Sequence, residues 1–396
     1  MRSKLMEMLE ARKDEMIEIR RYLHENPELS FEEEKTAQYI ADFYNGKDVK
    51  VETNVGNGHG IIVTIVGGKP GKTIGLRADF DALPITEEAD VPFKSKNEGV
   101  MHACGHDAHT AYLLVLADCL IQLKEELNGT IKIIHQHAEE VPPGGAKSIV
   151  ESGKLDDLDA IFGIHVLPMD PAGVVGYRSG YAFNGRSYFK LKIQGTGGHG
   201  SSPHTANDSI VAGAHFVTVV QTIISRRLNP MDPGVVTIGS FDGKGTFNVI
   251  KDSVELEGDI RYMSTESQKI IETEFKRIVK GIEAEFGVEC TLEYKADYPP
   301  LYNTPEFTQL VAESLNNAND KDIKEVKQYP PLAPSEDFAY YLEKIPGSYF
   351  FIGCTPKGVE KPYFNHHPKF DIDEDAILVA AKAVGHVVCS YFEKNE

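Results

Sequence analysis

The sequence predicts an α/β protein built on a largely buried sheet, with a second unit of different pattern set into it. Three observations carry that expectation. Short apolar runs alternate with helical stretches as far as His165, an ordered β-α-β-β-α-β series follows from Ser187, and mixed elements return after Pro299-Pro300.

Leu5, Leu9, Met16, Ile19 and Leu23 recur at helical spacing before Pro27 and predict an opening helix. Ser30-Phe31-Glu32-Glu33 reads as a capping box that opens a second. Apolar runs over 61–66 and 73–76, bounded by Gly67-Gly68 and Pro70-Gly71, predict strands. A helix over 110–127 stops near Asn128-Gly129, and buried strands are expected over 130–135 and 159–165. From Ser187 the pattern changes: Phe189, Leu191 and Ile193 alternate with Lys190, Lys192 and Gln194, as in a strand with one wet face. A helix over 207–228, strands over 235–241 and 253–262, a helix over 266–286 and a strand over 288–294 complete a split, ferredoxin-like unit. The tail adds helices over 305–316 and 335–343, a strand over 348–352 and a final helix over 373–392. The expected organisation is therefore 1–186, an inserted unit over 187–298, and a return over 299–396.

Composition narrows the function. The 396 residues are 41% hydrophobic, enough for a large core, and 41 Lys+Arg against 60 Asp+Glu leave a formal charge of -19. Binding nucleic acid or an anionic membrane would need clustered cations, so neither partner is expected, and chemistry on small molecules is favoured. Cys104, Cys119, Cys290, Cys354 and Cys389 are odd in number and widely spaced, with no Cys-x-x-Cys pair; neither a disulfide framework nor a zinc ribbon is indicated. The chain begins Met1-Arg2-Ser3-Lys4-Leu5-Met6-Glu7 without an apolar leader, and no later stretch approaches about 18 uninterrupted apolar residues. The expected location is cytoplasmic.

The densest chemistry lies in Met101-His102-Ala103-Cys104-Gly105-His106-Asp107-Ala108-His109. Cys104 and His106, two apart on an expected loop, can face one ion, with Asp107 or His109 as a helix cap or a clamp on a ligand. A second cluster, Gln136-His137-Ala138-Glu139-Glu140, closes a predicted buried strand and precedes Pro142-Pro143-Gly144-Gly145. Strand carboxyl ends are where open α/β sheets place ligands. A vicinal pair can divide labour there, one carboxylate on a cation and its neighbour taking a proton from water. His165 ends another apolar strand, and Asn365-His366-His367-Pro368 precedes the last helix. Cys, His, Glu, His and His from four segments exceed the needs of one tetrahedral structural zinc; they suit two transition-metal ions and hydrolysis.

These motifs, with Arg77-Ala78-Asp79-Phe80-Asp81-Ala82-Leu83-Pro84-Ile85 and Gly195-Thr196-Gly197-Gly198-His199-Gly200-Ser201-Ser202-Pro203-His204, resemble the M20 metallopeptidases in order along nearly the whole chain. The similarity is greatest to their amidohydrolase branch, which holds N-acyl-amino-acid amidohydrolases, hippurate hydrolases and auxin-conjugate hydrolases. The resemblance implies a mixed-sheet di-metal catalytic domain interrupted by a ferredoxin-like lid that mediates a homodimer or a larger assembly. It implies two divalent ions per subunit (Zn, Mn, Co or Ni) on Cys104, His106, Glu140, His165 and His366, with Cys104 bridging and Glu139 as general base. The family's His-x-Pro pattern selects His366 over His367. The lid histidine falls on His199, expected to reach the partner subunit's site, and Asn248 and Arg261 match residues that hold the substrate's carboxylate or carbonyl. A guanidinium fork suits a free α-carboxylate in an otherwise acidic protein. Asp79 and Asp81 are expected around the ligands rather than among them, and His137 stands where many relatives carry proline. The implied substrate is an N-acyl amino acid or peptide. The competing readings are a dipeptidase or aminopeptidase of the same fold, a Cys104–His nucleophilic hydrolase and a non-catalytic metal-binding scaffold.

Overall fold

The structure, a computed structural model, describes residues 1–395. They form two compact units. The first comprises Met1–Ala182, Tyr302–Pro330 and the chain from Asp337; the second comprises Phe183–Leu301 and Pro331–Glu336.

The first unit is built on an eight-stranded mixed sheet in the order Lys50–Val55, Gly60–Val66, Asn128–Gln136, Lys69–Asp79, Ala160–Pro171, Gly347–Thr355, Val174–Tyr177, Glu325–Gln328. Asn128–Gln136, Lys69–Asp79, Ala160–Pro171 and Gly347–Thr355 run parallel at its centre. Such strands are covered on both faces, which is why 160–166 and 347–354 are buried without alternation. Two core helices do much of the covering. In His106–Gln122 every residue from His106 to Ile121 is buried, and Asp375–Lys394 is buried from Ala376 to Cys389. The latter is apolar and long enough to cross a membrane by length and composition, as is the stretch Ser209–Arg226, but its apolar faces are taken up by the core.

Register brings the chemistry to one level. Asp79 pairs with Gln136 and Arg77 with Gly163, so Asp79, the residue leading into the Glu139-Glu140 turn, and His165 lie at the same height on three neighbouring strands.

The second unit is a four-stranded antiparallel sheet in the order Gly234–Asp242, Ser253–Tyr262, Gly185–Gln194, Glu289–Tyr298. Its helices Ser209–Val220 and Thr265–Phe286 join the sheet's alternating residues in one core around Phe189, Phe216 and Phe275, whose ring centroids are 4.7–6.2 Å apart. Local chemistry sets the helix ends. Asp208 caps the first through Ile210 N at 2.9 Å, Ser264 caps the second through Ser267 N at 3.0 Å, and Gly287, at φ 62°, ends it.

Several expected elements differ. The opening helix divides into Arg2–Ala11 and Lys13–Glu25 at Arg12, whose guanidinium bonds both Glu15 and Asp118. Lys50–Val55 is an additional edge strand. The helix expected over 110–127 begins at His106, so His106 is a helical residue and not a loop residue. The helix expected over 207–228 breaks after Val220, and that over 335–343 shrinks to Ala339–Leu342. The capping box does not form: helix Glu34–Phe43 has no side-chain cap, and Ser30 Oγ donates to Asp81 Oδ2 at 2.7 Å instead.

Candidate metal centre

The site assembles on the carboxyl side of the parallel strands, within the first unit. Cys104 precedes Gly105, which at φ 93° turns the chain into the helix that starts with His106. His165 lies within Ala160–Pro171 rather than at a strand end, because Gly347–Thr355 continues the pairing past it through Phe351 and beyond. Glu139 and Glu140 follow Ala138, which sits in the left-handed region at φ 50°. His366, also left-handed at φ 70°, is tied to the cysteine loop by its N–H to Ala103 O at 2.7 Å.

Two donor trios overlap here. Cys104, His106 and His165 offer atoms within 4.8 Å of one another, as do Cys104, Glu140 and His366, and both sets contain the Cys104 sulfur. Cys104 Sγ lies 3.5 Å from His165 Nε2, His366 Nε2 lies 3.2 Å from Glu140 Oε2, and His106 Nε2 lies 3.7 Å from Asp79 Oδ2 and 3.8 Å from Glu140 Oε1. Donors about 2.0–2.3 Å from one tetrahedral ion lie roughly 3.3–3.7 Å apart, a spacing that Cys104 and His165 match and that His366 and Glu140 approach. Buried His106 Nε2 and Glu140 Oε1 have no hydrogen-bond partner among the described residues. In a core, such orphaned atoms call for an ion or water.

The surrounding bonds aim the lone pairs. His106 Nδ1 donates to Asp81 O at 3.0 Å or Oδ1 at 3.1 Å, and His165 Nδ1 donates to Val166 O at 2.8 Å, which leaves both Nε2 atoms facing inward. His109 belongs to a third trio with Asp79 and His106 but has no lone pair to offer. Its Nδ1 donates to Asp79 Oδ1 at 2.6 Å and its Nε2 accepts Val166 N–H at 3.0 Å. Asp107 serves both the helix start and its neighbours: its Oδ1 accepts the first-turn Ala108 N–H at 2.9 Å, while its Oδ2 holds Arg20 at 2.9 Å and His24 at 2.8 Å, all three side chains buried. Burial opposes its charge, yet Arg20 and His24 keep it well below the usual range.

Charge points the same way. Burial disfavours a charged His106, but Asp79, Asp81 and Glu140 overcome it and raise the imidazole to about 10. The site therefore attracts a positive charge. Burial, with Glu140, Glu139 and Asp79, pushes the Cys104 thiol well above its ordinary value, while burial, His109 and His106 push His165 well below. A Cys104 thiolate beside a charged His165 is thus disfavoured at both partners, which argues against the cysteine-nucleophile reading.

The sequence pattern of peptidase family M20/M25/M40 matches residues 75–390. The chain belongs to this family. Among M20 relatives, a Bacillus subtilis chain named provisionally as amidohydrolase YhaA is 44% identical over 96% of this chain and 95% of its own. A Saccharolobus solfataricus protein named thermostable carboxypeptidase 2 is 39% identical over 93% of each chain, and the N-acetyl-L-cysteine deacetylase of B. subtilis is 37% identical over 96% of this chain and 89% of its own. The crystal structure of B. subtilis YXEP, described as a dinuclear metal-binding M20 peptidase, superposes with a TM-score of 0.83 at 32% identity, covering 97% of this chain and 99% of that one. This M20 chain is accordingly an enzyme of the amidohydrolase and peptidase class.

Its remaining expected site residues lie in the second unit. His199 forms a two-residue bridge with Val249, and Gly200 N–H donates to Asn248 O at 2.8 Å, so His199 and Asn248 are neighbours and both are exposed. His199 is held by strand pairing rather than on a free turn. Its Nδ1 accepts Ser201 N–H at 3.2 Å, which puts the ring proton on Nε2. Arg261 lies within Ser253–Tyr262, its Nε on Asp259 at 2.7 Å and its Nη1 on Ser335 Oγ at 2.9 Å.

Sequence reading missed three supports of this M20 site. Asn365 Nδ2 donates to Cys104 O at 3.0 Å and lies 3.8 Å from Sγ. Arg77 spans Gln136, Asp79 and Asp337, and Asp337 N–H reaches Glu139 Oε1 at 3.4 Å. Gly144 makes room for that aspartate, since a Cβ there would lie 2.3 Å from Asp337 Oδ2. Arg77 was visible as part of a motif and Asn365 as a neighbour of His366; Asp337 carried no local signal.

Proposed function

We propose that the chain hydrolyses the amide bond of N-acyl amino acids or related small conjugates, releasing a carboxylic acid and an amino acid. The observation that carries this reading is the pair of donor trios joined at Cys104, beside a buried carboxylate that belongs to neither. Cys104, His106 and His165 would hold one divalent ion and Cys104, Glu140 and His366 another, a mixed sulfur, nitrogen and oxygen set suited to Zn, Mn, Co or Ni. Bound ions of this kind supply Lewis acidity toward a carbonyl and toward water.

The chain's own groups do the rest. Glu139, oriented by Asp337 N–H, takes the proton of the attacking water and returns it to the leaving nitrogen. His199, with a proton on Nε2, is a donor for the oxyanion, and Arg261 with Asn248 holds the substrate's carboxylate or carbonyl. His199 is proposed to serve a partner subunit's site, in a homodimer made through the second unit. Exposed Ile210 and Val211 on one helix and Val235 and Phe241 on the sheet's outer strand favour that interface. Five free cysteines suit a reducing, cytoplasmic setting.

A carboxypeptidase reading has its own support in the relative of that name, and Arg261 would serve either substrate. A hydrolysis panel on chelated protein reloaded in turn with Zn, Mn, Co and Ni separates them. N-acetyl and N-benzoyl amino acids are expected to exceed free-amine dipeptides at least about tenfold in kcat/KM. The reverse order would overturn the acyl-amino-acid reading, and no hydrolysis by any metal form would overturn the hydrolase reading of the site.

Metal loading itself has a pH signature. His106, raised to about 10, and the Cys104 thiol must both lose protons to become ligands. His366, raised by its bond to Glu140, must do the same, so loading with Zn at pH 7 is expected to release about two to three protons per chain, with affinity rising as pH rises. Calorimetry in buffers of different ionisation enthalpy counts them; a release near zero would remove His106 and Cys104 from the ligand set.

A further inference from the structure

Ser30-Phe31-Glu32-Glu33, which opens no helix by capping, lies instead beneath the Glu139-Glu140 turn. We propose that Glu33 is a positioning residue for that carboxylate pair, its side chain holding Ala138 in the left-handed conformation that aims both glutamates. The inference rests on the reading of Glu139 as base and Glu140 as ligand.

Glu33 is 0% exposed, and its Oε1 accepts Ala138 N–H at 2.8 Å. Its Oε2 has no hydrogen-bond partner among the described residues. A carboxyl buried with one oxygen unpartnered is unfavourable unless the bond to Ala138 matters, and packing alone would be served by an apolar side chain. The bond falls on an alanine at φ 50°, a region an L-residue occupies only when its surroundings impose it.

The same segment holds the far side of the turn. Ser30 Oγ donates to Asp81 Oδ2 at 2.7 Å, and that oxygen also accepts Glu140 N–H at 2.9 Å. Asp81 in turn fixes His106 Nδ1. Ala138 is thus gripped directly by Glu33, Glu140 is gripped through Asp81 by Ser30, and Glu139 lies between them.

His137 docks the segment. Phe31, at φ 67°, meets its ring edge-on with centroids 5.8 Å apart, and a Cβ on Gly58 would lie 2.5 Å from that ring. The imidazole therefore fills a fitted space against Phe31. Burial and Asp81 raise Glu33 to about 8, so a glutamine is a close electrostatic match for it.

The test compares Glu33→Gln and Glu33→Leu in the full chain. Leucine removes the acceptor at similar volume, whereas the glutamine amide oxygen can still take Ala138 N–H. Glu33→Leu is expected to lower kcat on N-acetyl-L-methionine about 10–100-fold, with KM within about twofold. In metal-free protein, amide exchange over residues 136–141 is expected to rise at least about tenfold. Glu33→Gln is expected to restore both readouts to within about threefold of the parent. Parental kcat and parental exchange in Glu33→Leu would overturn the inference, as would a Glu33→Gln variant as impaired as the leucine. Should Glu33→Leu not fold, Glu33→Met takes its place: faster exchange at Ala138 supports the inference, and unchanged exchange refutes it. The exchange readout needs no turnover, so it fails or holds independently of whether Glu139 is the base.

Discussion

Changing Glu139 to glutamine is expected to lower kcat by about three orders of magnitude while leaving the metal content of the protein unchanged. The carboxyl is 6% exposed and receives Asp337 N–H at 3.4 Å, so an isosteric amide keeps the packing and the hydrogen-bond acceptor. What it loses is the capacity to accept a proton from water. Glu139 groups with His106 and Glu140 but belongs to neither of the trios that share Cys104; each of those trios keeps its three donors in the variant, so metal binding should survive. Glu140→Gln is the contrasting case. Its Oε2 faces His366 at 3.2 Å and its Oε1 faces His106 at 3.8 Å, and weakening that carboxylate should lower metal occupancy along with turnover. Kinetics beside elemental analysis of both variants separates base from ligand. Near-normal turnover in Glu139→Gln, or loss of metal from it, would remove the base assignment.

What the sequence made legible was what local pattern encodes. The strand Ser253–Tyr262 alternates buried and partly exposed residues along its length, and the helix Pro305–Asn316 begins on a proline in its first turn; both were readable to the residue. The cluster from Met101 to His109 announced chemistry because its titratable groups are close in sequence. Failures came where a local rule competed with a distant partner. Ser30 and Glu33 have the spacing of a capping box, but their partners are Asp81 and Ala138, 51 and 105 residues away. The apolar run ending at His165 suggested a strand end, yet the strand continues because Gly347–Thr355 offers backbone partners beyond it. His109 and His106 are equivalent by composition. Only Val166 N–H on one ring and Asp81 on the other decide which nitrogen is left to face a cation.

The longest of these links yields the largest stability effect. The Arg77, Asp79 and Asp337 side chains are all 0% exposed, and the guanidinium joins Asp79 to an aspartate 260 residues from Arg77 itself while its Nε donates to Gln136 Oε1 at 2.8 Å. Arg77→Met preserves much of the volume but leaves two buried carboxylates without their shared cation. Breaking a buried pair in this way costs about 3–5 kcal/mol, which lowers the first unit's Tm by roughly 6–20 °C. The sign of the pH effect follows from Asp79. Burial would raise its pKa, but Arg77, His106 and His109 hold it well below the ordinary value. In the parent that depression contributes stability above the unfolded carboxyl pKa of about 4, and the contribution fades as pH falls through the folded value. The deficit of Arg77→Met should therefore be widest near neutral pH and should narrow in acid. Adding Asp337→Asn to Arg77→Met removes one stranded charge and should recover part of the loss, whereas Arg77→Lys, charged but without the fork, should fall between parent and methionine variant. Calorimetric melting of the metal-free proteins across pH reads all three. A methionine variant melting within about 2 °C of the parent at neutral pH would mean that the two carboxylates find other compensation and that Arg77 does not hold the floor of the site.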